Sequence, residues 1–177
     1  MSAKHEKESL TPEETTFSEI IGDLIEEWGF NRNLGRVWSL LYMRGTALSP
    51  ISVQNALSMS VGNLNMSLNE LQRWGVVRRV RIAGVRSFFY EAEPHIWKSV
   101  ANVLQSREMR LLANAEVGLK HLQDSFKKDK KSKDEIQRIT HVYDAVATAS
   151  LLARHLIEMD PKNLARVSKL IGHLKSF

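Results

Sequence analysis

Asparagine and arginine crowd one short stretch of the chain. In SVGNLNMSLNELQRWGVV, residues 60–77, Asn63, Asn65, Asn69 and Arg73 are set among apolar residues, with Ser60 and Gly62 at the start. A carboxamide carries a donor and an acceptor side by side, so it can match the paired edge of an adenine; a guanidinium fork matches a guanine edge or phosphate oxygens. Met66, in the middle, offers the apolar contact that a thymine methyl accepts. These are chemistries of recognition. Catalytic constellations are missing from the sequence, which has no glycine-rich phosphate loop, no nucleophile elbow and no cysteine to supply a thiolate. His141 with Asp144 and His155 with Glu158 have helical i, i+3 spacing. One imidazole and one carboxylate per turn are too few ligands for a metal unless a second copy adds more. A non-enzyme without metal or cofactor is expected.

The element that must position these side chains is a helix. Val61, Leu64, Leu68 and Leu71 recur at steps of three and four and form one stripe that can face a core. At about 100° per residue the opposite face carries Gly62, Asn63, Met66, Asn69 and Arg73, with Glu70 beside them. Glycine and asparagine are poor helix formers. A helix that gives up propensity in its first turns yet keeps a good buried stripe is suited to presenting its outer face to a partner, although each polar residue also fits a plain solvated surface.

The charge distribution favours the same reading. The 177-residue chain is net +5, but residues 33–93 hold seven arginines, three glutamates and no lysine. Arginine binds phosphate through a planar fork, so an arginine-only basic segment suits nucleic acid better than it suits mere solubility. Residues 1–32 are net acidic and residues 94–177 net basic. A hydrophobic fraction of 43% and a charged fraction of 25% are ordinary for a folded domain. No run approaches the ~18 consecutive apolar residues of a membrane span, and the polar first residues lack an apolar signal core. No membrane partner and a cytoplasmic location are expected.

Along the chain, a polar tail over 1–12 leads into Thr11-Pro12-Glu13-Glu14, an N-cap, a proline at the first helical position and acids in the first turn. The stripe Phe17, Ile20, Ile21, Leu24, Ile25, Trp28 predicts a first helix to Gly29. A second, from about Asn33 to Gly45, should bury Leu34, Val37, Trp38, Leu41 and Tyr42. Ser49-Pro50 opens a short third helix with Ile51, Val53, Ala56 and Leu57 as its apolar positions, and Ser58-Met59-Ser60 turns into the helix just described. After Gly75 the period changes: VVRRVRI and SFFYEAE read as two strands around a turn at Gly84, which places Arg81 and Arg86 at the end of a hairpin. Helix, short helix, turn, helix and basic hairpin is the order of a winged helix-turn-helix over residues 13–93. In that arrangement the second helix of the turn motif enters a major groove and the hairpin reaches the backbone or minor groove. Residues 94–177 read as helical. Pro94 starts a long helix with the stripe Trp97, Val100, Leu104, Leu111, Ala115, Leu119, Leu122 and Phe126; a lysine-rich loop lies at 127–133; a second long helix covers about Asp134–Met159; and a last one runs through Leu164, Val167, Leu170, Ile171 and Leu174. Near-heptad stripes of this length want a partner chain, so the fold class expected is mainly α, a winged helix-turn-helix with a small β-hairpin wing and long C-terminal dimerisation helices.

The run Ser-x-Gly-Asn-x-x-Met-x-Leu-x-x-Leu-x-x-Trp-Gly from Ser60 to Gly75, followed by GVRSFFYEAE and WKSVANVLQSRE, resembles the GbsR/MarR family of bacterial transcriptional regulators over roughly residues 17–126. The resemblance implies a homodimeric winged-helix repressor or activator on palindromic double-stranded operators. It makes Ser60, Gly62, Asn63, Asn65, Met66, Asn69, Arg73, Arg81 and Arg86 the candidate DNA contacts. Trp28, Trp38, Tyr42 and Trp97 invite a small-molecule effector, since aromatic faces attract cations. All four lie on stripes expected to be buried, so core packing is the stronger reading. Two rival functions remain: a helical protein-interaction module, and a DNA binder of the nucleoid type without sequence preference.

Overall fold

The computed structural model describes residues 9–129 and 132–159. The expected last helix and most of the N-terminal tail lie outside them. Two compact units divide after Ser99.

The first unit opens with α1, Pro12–Glu27, capped by a reciprocal box in which Glu14 N–H donates to Thr11 Oγ1 and Thr11 N–H donates to the Glu14 carboxylate. Helix α2 is Arg32–Arg44, and its apolar face, Leu34, Val37, Trp38, Leu40 and Leu41, forms the centre of the core. Helix α3, Pro50–Leu57, is capped by Ser49 and buries Val53, Ala56 and Leu57. Ser58 (φ 51°) and the buried Met59 turn the chain into α4, Val61–Arg73. Strands β1, Val77–Arg81, and β2, Phe88–Ala92, pair antiparallel from Val77 opposite Ala92 to Arg81 opposite Phe88. Leu48, in the loop before α3, adds an isolated bridge to Tyr90.

On α1 the sequence expectation fails at Trp28, which was assigned to a buried stripe and is 53% exposed. The apolar stripe is split: Ile20 (59% exposed) and Leu24 (46%) point outward with Trp28, while Phe17, Ile21 and Ile25 are half-buried, and the residues buried are Ser18 and Gly22. The cause is the closeness of the two helices. A Cβ on Gly35 would stand 2.6 Å from the Ile21 carbonyl oxygen and 2.9 Å from Gly22 Cα, so only small residues fit at the crossing. Ion pairs flank it. Arg32 meets Glu19 and, at 2.9 Å, Asp23; Arg36 lies 3.6 Å from Glu19; and Arg44 Nε donates to Glu14 at 3.0 Å, with both side chains about 90% buried.

Other expectations are corrected at single positions. Val61 and Ile51, assigned to buried stripes, are 57% and 68% exposed because each sits at the first turn of its helix, beyond the reach of the core. Trp97, also expected to be buried, is 49% exposed.

Helix α5, Ile96–Val103, begins two residues after Pro94 and runs into the second unit. The helix expected to continue unbroken to Phe126 is instead interrupted by a π-helical segment, Leu104–Glu108, before α6, Met109–Lys128. The wide turn takes one residue more than an α-turn and re-aims the stripe between Leu104 and Leu111. Helix α7, Lys133–Glu158, starts at a second capping box, Ser132 with Glu135, and packs on α6, where Gln123 Nε2 donates to Thr140 Oγ1 at 2.7 Å. Among the described residues, no helix is long and apolar enough to cross a membrane.

The crossing at Gly35 gives a direct test. Gly35→Ala should cost about 1–3 kcal/mol through overpacking. Gly118→Ala, in α6 with nothing within 4 Å of the added carbon, should be neutral or mildly stabilising. Thermal unfolding of the two variants checks this; equal melting temperatures would contradict the close approach.

Candidate nucleic-acid interface

Helix α4 divides cleanly into two faces. Leu64, Leu68 and Leu71 are 2%, 1% and 2% exposed and Ser67 is buried with them, packed on α2, α3 and β1. Full burial of each leucine is worth about 1.5–3 kcal/mol, enough to fix the helix's rotation about its axis. With that rotation set, Gly62, Met66, Asn69 and Arg73, spaced i, i+4, i+7 and i+11, form a straight outward stripe. All four are exposed, Met66 to 70%. Asn63 and Asn65 are exposed on opposite flanks of the stripe. Ser60 is the N-cap, its Oγ accepting from Asn63 N–H at 3.3 Å, so its hydroxyl serves the helix first. Arg73 pairs with Glu70 one turn back, which answers the one carboxylate near the stripe.

The end of α4 is held as firmly as its side. Trp74 is buried against Phe30, the ring centroids 4.6 Å apart, and Val76 N–H donates to Leu71 O at 3.1 Å as the chain leaves for β1. The wing is anchored at its base by Leu48 N–H to Tyr90 O (2.9 Å), Tyr90 N–H to Leu48 O (2.8 Å) and Glu93 N–H to Val76 O (2.9 Å). Glu93 also accepts from Lys98 Nζ at 2.7 Å, and that hydrogen bond holds its carboxyl below the ordinary range.

Beyond that base the hairpin is rich in guanidinium groups. Strand alternation puts Arg79, Arg81, Phe88 and Tyr90 on one side, and Arg78, Val80, Phe89 and Glu91 on the other. Arg78 pairs with Glu91 at 2.5 Å. Arg79 and Arg81 both lie over the Phe88 ring, at 4.0 and 4.8 Å from its centroid. Among the described residues no carboxylate lies within ion-pair distance of Arg79, Arg81 or Arg86. Arg79 was not singled out in the sequence, yet period-two alternation already gives it the same side as Arg81.

The four aromatic residues are not equivalent. Trp38 is buried and stacks on Tyr42 with centroids 4.7 Å apart, whereas Trp28 and Trp97 are about half exposed. No group of metal-ligating side chains large enough for a site occurs among the described residues.

A polar helix face beside a cationic two-stranded ribbon, both built on a three-helix core, decides the architecture. The fold is a winged helix-turn-helix. A solved structure described as a transcriptional regulator has it too, with TM-score 0.65 and 19% identity over 89% of this chain and 99% of that one. Two structures of MarR from E. coli overlap less: the oxidised form at TM-score 0.37 and 16% identity (76% of this chain, 89% of that one), and a mutant complexed with operator DNA at 0.38 and 15% (76% and 88%). No protein-family model and no curated protein matches the sequence.

Gly62 is the conformational weak point on the outward stripe of α4. Nothing lies within 4 Å of a Cβ added there, so Gly62→Ala should raise stability, by about 0.5 kcal/mol at most because this second helical position lies short of the interior where the full propensity difference applies. Urea unfolding reads the difference; a destabilised variant would mean that the first turn of α4 is packed differently.

Proposed function

We propose that this chain is a sequence-specific double-stranded DNA-binding transcriptional regulator that acts as a homodimer and represses by occupying its operator. The observation that carries the reading is the sorting of its arginines. Arg32, Arg36 and Arg44 are neutralised against α1 carboxylates, while Arg79, Arg81 and Arg86 reach the wing without one. A fold gains nothing by holding three unneutralised guanidinium groups together, whereas a phosphate backbone supplies what they lack. The α4 stripe then meets base edges, with Asn63, Asn65 and Asn69 as amide readers and Met66 as the apolar contact. The likeness of the Ser60–Gly75 run to the GbsR/MarR family supports the same assignment. A ligand that used Trp38 or Tyr42 would first have to part their stack, so effector control is not included in this reading.

Dimerisation rests on apolar surface. Val117, Leu151 and Leu152 in the second unit are 71%, 56% and 61% exposed, and Ile20, Leu24 and Trp28 on α1 add to the surface left uncovered. Where such side chains gather into a contiguous patch, a protein partner commonly covers it. A second copy would cover such surface and would set two recognition helices against a palindrome. Sedimentation at low micromolar concentration should give twice the chain mass of 20.2 kDa; a clean monomer would remove the homodimer from the account.

The experiment for DNA reading is a pair of variants on an operator recovered by selection from random duplexes. Asn63→Ala should lower operator affinity by about 1–3 kcal/mol and leave binding to scrambled DNA nearly unchanged. Arg86→Ala should weaken both and make the salt dependence shallower by about one unit per lost phosphate contact. Gly62→Ala, though more stable, should bind the operator more weakly, because its methyl group stands between the helix and the groove floor. Equal affinity for operator and scrambled DNA would favour a nucleoid-type binder, and no salt-sensitive duplex binding would favour a protein-interaction module.

A further inference from the structure

The tip of the wing has a composition that phosphate contact alone does not require. The hairpin closes through Ile82-Ala83-Gly84-Val85, where Val85 N–H donates to Ile82 O at 3.1 Å and Gly84 takes φ +82°, as the third residue of a type II turn does. A turn that faces only water usually carries asparagine, aspartate or serine. Here four residues in a row lack a polar side chain, and the two branched ones are well exposed, Ile82 to 42% and Val85 to 44%. The turn brings their backbones within about 7 Å of each other. Cations bracket them: Arg81 precedes Ile82, Arg86 follows Val85, and Arg79 stands two residues behind Arg81 over the shared Phe88 ring.

An apolar point between guanidinium groups matches the minor groove of duplex DNA, which has phosphates along both walls and sugar and base edges between them. On the reading of the chain as a DNA-binding regulator, we propose that the wing tip is a wedge: Ile82 and Val85 enter the minor groove and press on a base step, while Arg79, Arg81 and Arg86 hold the phosphates on either side. Apolar side chains inserted in this way unstack a step in part and bend the duplex toward the major groove. The bend would press the DNA toward α4. It would also add selectivity at positions no amide touches, because pyrimidine–purine steps such as TpA yield more easily than stiff A-tracts.

The test uses the full chain and a selected duplex of about 30 base pairs labelled at its two ends, a length over which bending is costly and therefore readable. Energy transfer should show the ends drawing together when the wild-type protein binds. The doubly substituted Ile82→Ser, Val85→Ser protein, altered only at exposed positions and checked by its melting temperature, should bind several-fold more weakly, leave the duplex straight and lose any preference for TpA at the wing position. Arg86→Ala should bind more weakly yet still bend what it binds. Tight binding to a straight duplex, or equal bending by the double-serine protein, overturns the wedge and leaves DNA binding standing. Absence of any duplex binding overturns the functional reading and the wedge together. Binding to anionic phospholipid vesicles that is lost in the double-serine protein, with bending unchanged, assigns the tip to a membrane surface instead.

Discussion

Two backbone hydrogen bonds, exchanged between Leu48 and Tyr90 at 2.9 and 2.8 Å, decide where the wing stands relative to α4. A two-stranded hairpin is marginally stable by itself and needs a third strand or a packed face to hold its direction. Leu48 supplies that third element from the loop between α2 and α3, and it is itself 2% exposed. Because α3 begins immediately afterwards at Pro50, the same short loop fixes the helix-turn-helix and the wing together. The outward stripe of α4 and the guanidinium groups of the hairpin therefore form one surface, which a duplex would meet with both parts already in place.

That surface is electrostatically lopsided for a reason visible in the pairing of its charges. Three acids of α1 are matched within the fold: Glu14, Glu19 and Asp23 take up Arg44, Arg36 and Arg32 on α2, the Glu14–Arg44 pair in a buried position. The carboxylates left near the interface are answered locally, Glu70 by Arg73, Glu91 by Arg78 and Glu93 by Lys98. What remains is positive and lies on the wing. Arginine suits this division of labour, since the same planar fork serves a buried carboxylate and an exposed phosphate.

Much of this was legible in the sequence, and the parts that were not have physical causes. Local patterns carried well: the helix start at Thr11–Glu14, the Leu64–Leu71 stripe, the turn at Gly84 and the hairpin all follow from short-range chemistry. Relations between elements did not. The stripe on α1 shows which residues are apolar but not which side α2 approaches, and that side is chosen by Gly22 and Gly35, whose smallness permits backbone contact. The Leu48–Tyr90 bridge joins residues 42 positions apart and leaves no local signal. The π-helical turn at Leu104–Glu108 looks like a slight irregularity in a stripe until its one additional residue is seen. At the candidate interface, period 3.6 alone put Gly62, Asn63, Met66, Asn69 and Arg73 on one exposed face, whereas the Phe88 ring shared by Arg79 and Arg81 required the strand register.

The central claim is that one rigid surface places α4 in a major groove and the wing in the adjoining minor groove of the same duplex. Dimethyl sulfate footprinting of the full chain on a selected duplex reports both grooves in one experiment, because it methylates guanine N7 in the major groove and adenine N3 in the minor groove. The account predicts a block of protected guanine N7 positions flanked by protected adenine N3 positions. Protection confined to one groove, or none on any selected duplex, would contradict it.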